Sequence, residues 1–107
     1  NQKVIDEVIL QLTEERLIDD IRYAEIFVDN CKKYKSYGFY MLKKKLLERR
    51  LASVLIERAL SDFFSLEDEL VVAKRLVEKI GKGLEKQKLG QRLQARGFRL
   101  DTIKKFI

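Results

Sequence analysis

No proline interrupts the 107 residues, and apolar side chains recur at helical spacing from one end to the other. Proline is the strongest helix breaker, costing about 3 kcal/mol in a helix interior. Glycine, the next strongest, occurs only five times. Leu, Lys, Glu and Arg, all good helix formers, dominate the rest. An all-α fold is therefore expected. The hydrophobic share of 46% supplies a core, while the charged share of 37% exceeds the roughly 25% of an ordinary globular chain. No apolar run approaches the ~18 residues of a membrane-spanning helix, and no basic start precedes an apolar signal segment. No membrane partner is expected.

The periodicity marks at least seven helices. Val4, Ile5, Val8, Ile9 and Leu12 form one face of the first. The chain opens at Asn1 without an initiator Met and reads as a fragment that begins inside the last helix of some unit. Its apolar stripe then lacks the helices it was meant to meet, which invites self-association through the first helix. Asp19 or Asp20 is placed to cap a second helix with Tyr23, Ala24, Phe27, Val28 and Cys31 inward. Residues 32–38 form a connection. A third helix turns Leu42, Leu46 and Leu47 inward. Ser53 is placed to cap a fourth, bearing Ile56, Ala59, Leu60 and Phe63. Ser65 and Asp68 have capping-box spacing and open a fifth, with Leu70, Ala73, Leu76, Val77 and Ile80. Gly81 and Gly83 end that helix. A sixth carries Leu84, Leu89 and Leu93 and stops at Gly97, and Asp101 caps a short seventh with Ile103, Phe106 and Ile107.

The pattern repeats. Sliding the segment from Leu42 to Leu51 onto that from Leu89 to Phe98 superposes Leu42 on Leu89, Leu46 on Leu93, Lys45 on Arg92 and Arg49 on Arg96. At the same offset Ile56 meets Ile103 and Leu60 meets Ile107. Tandem three-helix repeats forming an elongated array follow. The expected divisions are 1–16, the last helix of a truncated first repeat, then 17–64 and 65–107 as complete repeats.

Histidine is absent, which removes Ser-His-Asp and Cys-His dyads and His-based zinc sites. The single Cys31 cannot form an internal disulfide and reads as a small core hydrophobe, as suits a reducing, cytoplasmic setting. The carboxylates Glu14-Glu15, Asp19-Asp20 and Glu67-Asp68-Glu69 sit at expected helix starts, where capping and the helix dipole account for them without a metal. Gly81-Lys82-Gly83 lacks the spacing of a phosphate-binding loop. No catalytic residue, metal or cofactor is expected, and the chain does not read as an enzyme.

Charge is unevenly placed within a net +6. Residues 1–20 set Lys3 and Arg16 against Asp6, Glu7, Glu14, Glu15, Asp19 and Asp20. Basic residues crowd 32–50 and again 79–107, one zone per repeat. Such clustering is the footprint of a polyanionic partner, although solvated helix faces produce the same pattern. Tyr34, Tyr37, Phe39 and Tyr40 interleave with the first zone, which suits base stacking or anchoring in a protein interface. For Phe39 and Tyr40, packing between helices explains them as well. The candidate partner-binding or nucleic-acid-binding residues are Lys32, Lys33, Tyr34, Lys35, Tyr37, Lys43, Lys44 and Arg49, with Lys86, Lys88, Arg92, Arg96 and Arg99 in the second zone.

The run Leu17-Ile18-Asp19-Asp20-Ile21-Arg22-Tyr23-Ala24-Glu25-Ile26-Phe27-Val28 resembles a segment of the RecX family, bacterial regulators of the RecA recombinase. Tyr37-Gly38 followed by Leu42 and Leu46, and Ala95-Arg96-Gly97-Phe98 with Ile103 beyond, resemble two further segments in the same order. The resemblance implies a non-enzymatic regulator that docks in the groove of a RecA–DNA filament and inhibits recombinase activity. One departure is Arg50, which stands where the family has Gly. An Arg in a left-handed cap costs on the order of 1 kcal/mol, so a different end to the third helix is expected. Two other readings stay open: a module that binds DNA directly through its basic face without a recombinase, with single-stranded DNA as partner, and a structural fragment without activity of its own.

Overall fold

A computed structural model describes the backbone of residues 2–81 and 83–107 and the side chains of residues 14–81 and 83–107. Among the described residues six helices run in order: α1 (Gln2–Tyr34), α2 (Phe39–Glu48), α3 (Ser53–Phe63), α4 (Leu66–Ile80), α5 (Lys86–Ala95) and α6 (Leu100–Ile103). The described residues contain no strand. The fold is all-α, as the proline-free, helically periodic sequence predicts.

The helix count differs from the expected seven because α1 is continuous across Asp19 and Asp20. Neither Gly nor Pro lies between Thr13 and Tyr23 to break the backbone. An Asp inside a helix costs at most about 0.7 kcal/mol, whereas stopping and renucleating a helix costs much more. The expected division between residues 16 and 17 thus falls within an unbroken helix. The face of Val4, Ile5, Val8, Ile9 and Leu12 lies outside the described side chains.

At about 1.5 Å per residue, the 33 residues of α1 span about 50 Å, most of the long axis of a 70 × 19 × 19 Å rod. The radius of gyration is 18.0 Å, against about 13 Å for a compact chain of this length. The C-terminal part of α1 packs on α2 and α3 as a first unit, and α4, α5 and α6 form the second. Three of the four aligned core pairs match: Leu46 and Leu93 are fully buried, and so nearly are Leu42 and Leu89, and Ile56 and Ile103, whereas Leu60 is buried and its counterpart Ile107, beyond the end of α6, is 49% exposed. Cys31 is buried in the first core, and burial raises its pKa above the ordinary thiol value against the opposing pull of Lys35 and Lys45.

Helix ends follow the sequence in part. The Ser65–Asp68 capping box forms, each side chain accepting the other residue's N–H at 3.0 Å. Burial alone would raise the Asp68 pKa, but the Ser65 hydrogen bonds and Lys32 outweigh it and hold the carboxyl below its ordinary value. Ser53 is not a cap. Ala52 occupies that position, because the first helical bond runs from Ile56 N to Ala52 O. Asp101 likewise lies inside the first turn of α6, whose N-cap is Arg99. Leu47 and Tyr23, expected inward, are exposed: Leu42 and Leu46 at i, i+4 already define the buried line of α2, and Leu47 falls beside it.

Arg50 corrects the expectation of a different ending. It adopts φ 62°, and Gly97, its counterpart in the second unit, φ 85°. Both units therefore end their middle helix through a left-handed residue, with Arg50 N–H donating to Leu47 O and Gly97 N–H to Gln94 O. The strain of about 1 kcal/mol is smaller than the gain from directing Leu51 toward the core, where it packs against the buried cluster.

Candidate partner-binding face

The site rests on how the two units are joined, and that joint is polar as well as apolar. Gly38 N–H donates to Arg96 O at 3.0 Å and Tyr40 N–H to Gly97 O at 2.8 Å, so two loops meet backbone to backbone. A Cβ on Gly38 would lie 2.4 Å from Phe98 Cα, and one on Gly97 would lie 2.3 Å from Met41 N. Only glycine permits this approach.

Glu69, fully buried on α4, fastens the joint. Its Oε2 accepts Phe39 N–H at 2.7 Å, which ties α4 to the start of α2. Its Oε1 accepts from Arg99 Nε at 3.2 Å, from Arg99 N–H at 3.3 Å and from the Thr102 hydroxyl. Arg75 reaches in the opposite direction. Its Nη1 donates to the carbonyls of Lys32 (2.9 Å) and Lys33 (3.1 Å), and its Nη2 to that of Lys35 (2.6 Å). A cation thus covers the carbonyl end of α1, where the helix dipole favours positive charge.

These contacts divide the candidate cations into two groups. Arg99 is committed to the joint, against Glu69 and 4.5 Å from the Phe39 ring centroid. Lys32 donates to Phe63 O at 3.1 Å, capping α3, and stands 3.7 Å from Asp68. Lys43 stands 3.7 Å from Glu57, and Lys33 pairs with Asp29 at 3.1 Å. Arg49 lies over the Tyr23 ring, and Lys45 over that of Tyr37, which is packed against the core. Lys44, Lys86, Lys88, Arg92 and Arg96 are exposed and make no ion pair among the described residues, as is Lys35. Tyr34 is 78% exposed and Tyr40 57%, while Phe39 packs against the core. Arg92 and Arg96 occupy the positions of Lys45 and Arg49, so the second unit leaves free the charges that the first engages with aromatic rings.

Glu69, Arg75 and Gly38 escaped the list of candidates. Glu69 had a signal: Val72, Ala73 and Leu76 lie three, four and seven residues on, so it shares their buried face. Arg75 had none, since its partners are backbone carbonyls some forty positions away.

The chain is 37% identical over 106 residues to regulatory protein RecX of Lactococcus lactis subsp. lactis (strain IL1403), covering 92% of this chain and 39% of that protein. It is 35% identical over 109 residues to regulatory protein RecX of Halalkalibacterium halodurans, covering 95% and 41% respectively. Its fold matches the crystal structure of RecX from Lactobacillus salivarius with a TM-score of 0.73 at 23% identity, over 99% of this chain and 73% of that one. No protein-family model matches the chain. Among the described residues, no helix is long and apolar enough to cross a membrane. The chain spans about two fifths of the length of the curated relatives it matches, and over that length it is similar to regulatory proteins RecX.

Proposed function

We propose that this chain is a non-enzymatic regulator of the RecA recombinase, which lies along the RecA–DNA filament and restrains strand exchange. The observation that carries the reading is 37% identity to a regulatory protein RecX across nearly the whole chain. Its shape supports the same job: a 70 Å rod can touch more than one subunit of a filament. The units 17–64 and 65–107 would act together, because Glu69 and the Gly38 contact hold them in one register. Inhibition then needs only a difference in affinity between filament states.

The exposed cations Lys44, Lys86, Lys88, Arg92 and Arg96 are the side chains this reading assigns to the partner, together with exposed Tyr34 and Lys35 at the end of α1. Acidic side chains of the recombinase are the favoured counterpart. Direct contact with single-stranded DNA is the second reading, supported by Arg92 and Arg96 being exposed and making no ion pair among the described residues. RecA-catalysed strand exchange with the chain titrated in tests the proposal. Dose-dependent inhibition, relieved in an Arg92→Glu, Arg96→Glu variant of unchanged helicity, is expected. Undiminished strand exchange at saturating chain would overturn it.

A further inference from the structure

Among the described residues each unit carries an apolar groove, the first flanked by acidic side chains and the second by basic ones. The first, about 490 Å³, lies between α1 and α3 and is lined by Leu17, Ile21, Val54 and Leu55, with the paired Arg58 and Asp62 also on its wall. Half-exposed Ile18 stands beside it on α1, where Glu14, Asp19 and Asp20 outnumber Arg16 and Arg22. The second, about 540 Å³, lies between α5 and α6, with Gly90, Leu100, Ile103 and Ile107 along it and Tyr40 and Lys86 at its edge. Exposed Lys104 and Lys105 follow on α6.

Gly90 shapes the second groove. It sits in the interior of α5, where glycine costs about 0.5–1 kcal/mol relative to alanine. Its neighbours do not require it: a Cβ there would lie 3.8 Å from Ile107 and 3.9 Å from Ile103, ordinary contact distances. Its counterpart in the first unit is Lys43, whose side chain pairs across to Glu57 on α3. Where the first unit spans its helices with a side chain, the second leaves an opening.

We propose that the acidic, apolar stretch of α1 in one copy of the chain seats in the basic α5–α6 groove of the next. Pairing like with like would set carboxylates against carboxylates or lysines against lysines. Pairing unlike ends joins opposite charges around two apolar surfaces. A phosphate backbone would meet Leu100, Ile103 and Ile107 where it needs donors. Because the two surfaces differ, the contact is heterologous, and copies add head to tail without closing as a dimer. The inference does not depend on the recombinase reading.

Sedimentation of the chain over a concentration series, at low and high salt, tests it. Mass should grow with concentration at low salt and fall as screening shortens the reach of the charges. Ile18→Lys should block one surface and Gly90→Leu, which improves helix propensity, should fill the other. Each variant alone should be monomeric with unchanged circular dichroism. Mixed, the intact groove of the first and the intact α1 of the second should yield a 1:1 dimer and nothing larger. Asp19→Lys and Lys86→Glu repeat the mixing test at exposed side chains, should either apolar variant misfold. A wild-type chain monomeric throughout, a Gly90→Leu variant that still self-associates, or variant mixtures that stay monomeric would each overturn the proposal. So would a monomeric wild type whose Gly90→Leu variant loses filament inhibition, since the groove would then belong to the recombinase.

Discussion

Glu69→Ala removes the one carboxylate on which α2, α4 and α6 converge. Four donors lose their acceptor: Phe39 N–H, Arg99 N–H, Arg99 Nε and the Thr102 hydroxyl. Arg99 is the most costly loss, because its side chain is only 23% exposed and its Nη2 is already buried without a hydrogen-bond partner among the described residues. Breaking a buried ion pair by deleting one member typically costs about 3–5 kcal/mol, since the surviving charge stays desolvated. A chain of this length holds roughly 5–15 kcal/mol in all, so the substitution should remove a large share of its stability. The loss should also be local. In an elongated array each unit contacts only its neighbour, so a weakened joint lets the second unit unfold before the first. Urea denaturation followed by circular dichroism should show a lower midpoint and a shallower or split transition. Glu78→Ala, at an exposed position of the same helix, should change stability by no more than about 0.5 kcal/mol. A Glu69→Ala midpoint within that same margin would refute the claim that the carboxylate holds the units together.

Three further outcomes follow from the fold. Leu46→Ala, at a fully buried position, should cost roughly 2–5 kcal/mol in chemical denaturation, while exposed Lys44→Ala should stay within about 0.5 kcal/mol; equal midpoints would mean that the inner and outer faces of α2 are wrongly assigned. Arg50→Gly should raise thermal stability by about 1 kcal/mol by relieving the left-handed strain at φ 62°, and a loss of stability would contradict that conformation. Cys31, buried and with its pKa raised by desolvation, should react with an aromatic disulfide reagent far more slowly in the folded chain than in urea, and equal rates would place it at the surface.

Much of this fold is legible in the sequence because helical periodicity survives without interruption. Leu46 and Leu93, or Ile56 and Ile103, align at one offset, and their spacing alone places them at equivalent core positions. Helix ends were less legible. A capping box names two residues that satisfy each other, so Ser65 and Asp68 declare themselves. Asp19, Ser53 and Asp101 are single polar residues near a boundary, and a single Asp or Ser caps only where the backbone already turns. The candidate face was legible as charge but not as availability. Lys32, Lys43 and Arg99 read like Lys44, Arg92 and Arg96, yet the first three meet Phe63 O, Glu57 and Glu69, all distant in sequence. Glu69 was hidden by its company, because two neighbouring carboxylates at a helix start offered a sufficient local explanation. Arg50 shows the converse: a residue unsuited to its backbone is held there by the packing of the residue after it.

The measurement that bears most directly on the proposed function is binding of the chain to a RecA–single-stranded DNA filament and to the bare oligonucleotide, side by side over a salt series. Tight filament binding with weak binding to bare DNA is predicted. For the bare strand, each phosphate contact released should contribute about 0.7 to the slope of log affinity against log salt. Equal affinity for filament and naked strand, with the same steep salt slope, would contradict the account and make the chain a DNA-binding module instead.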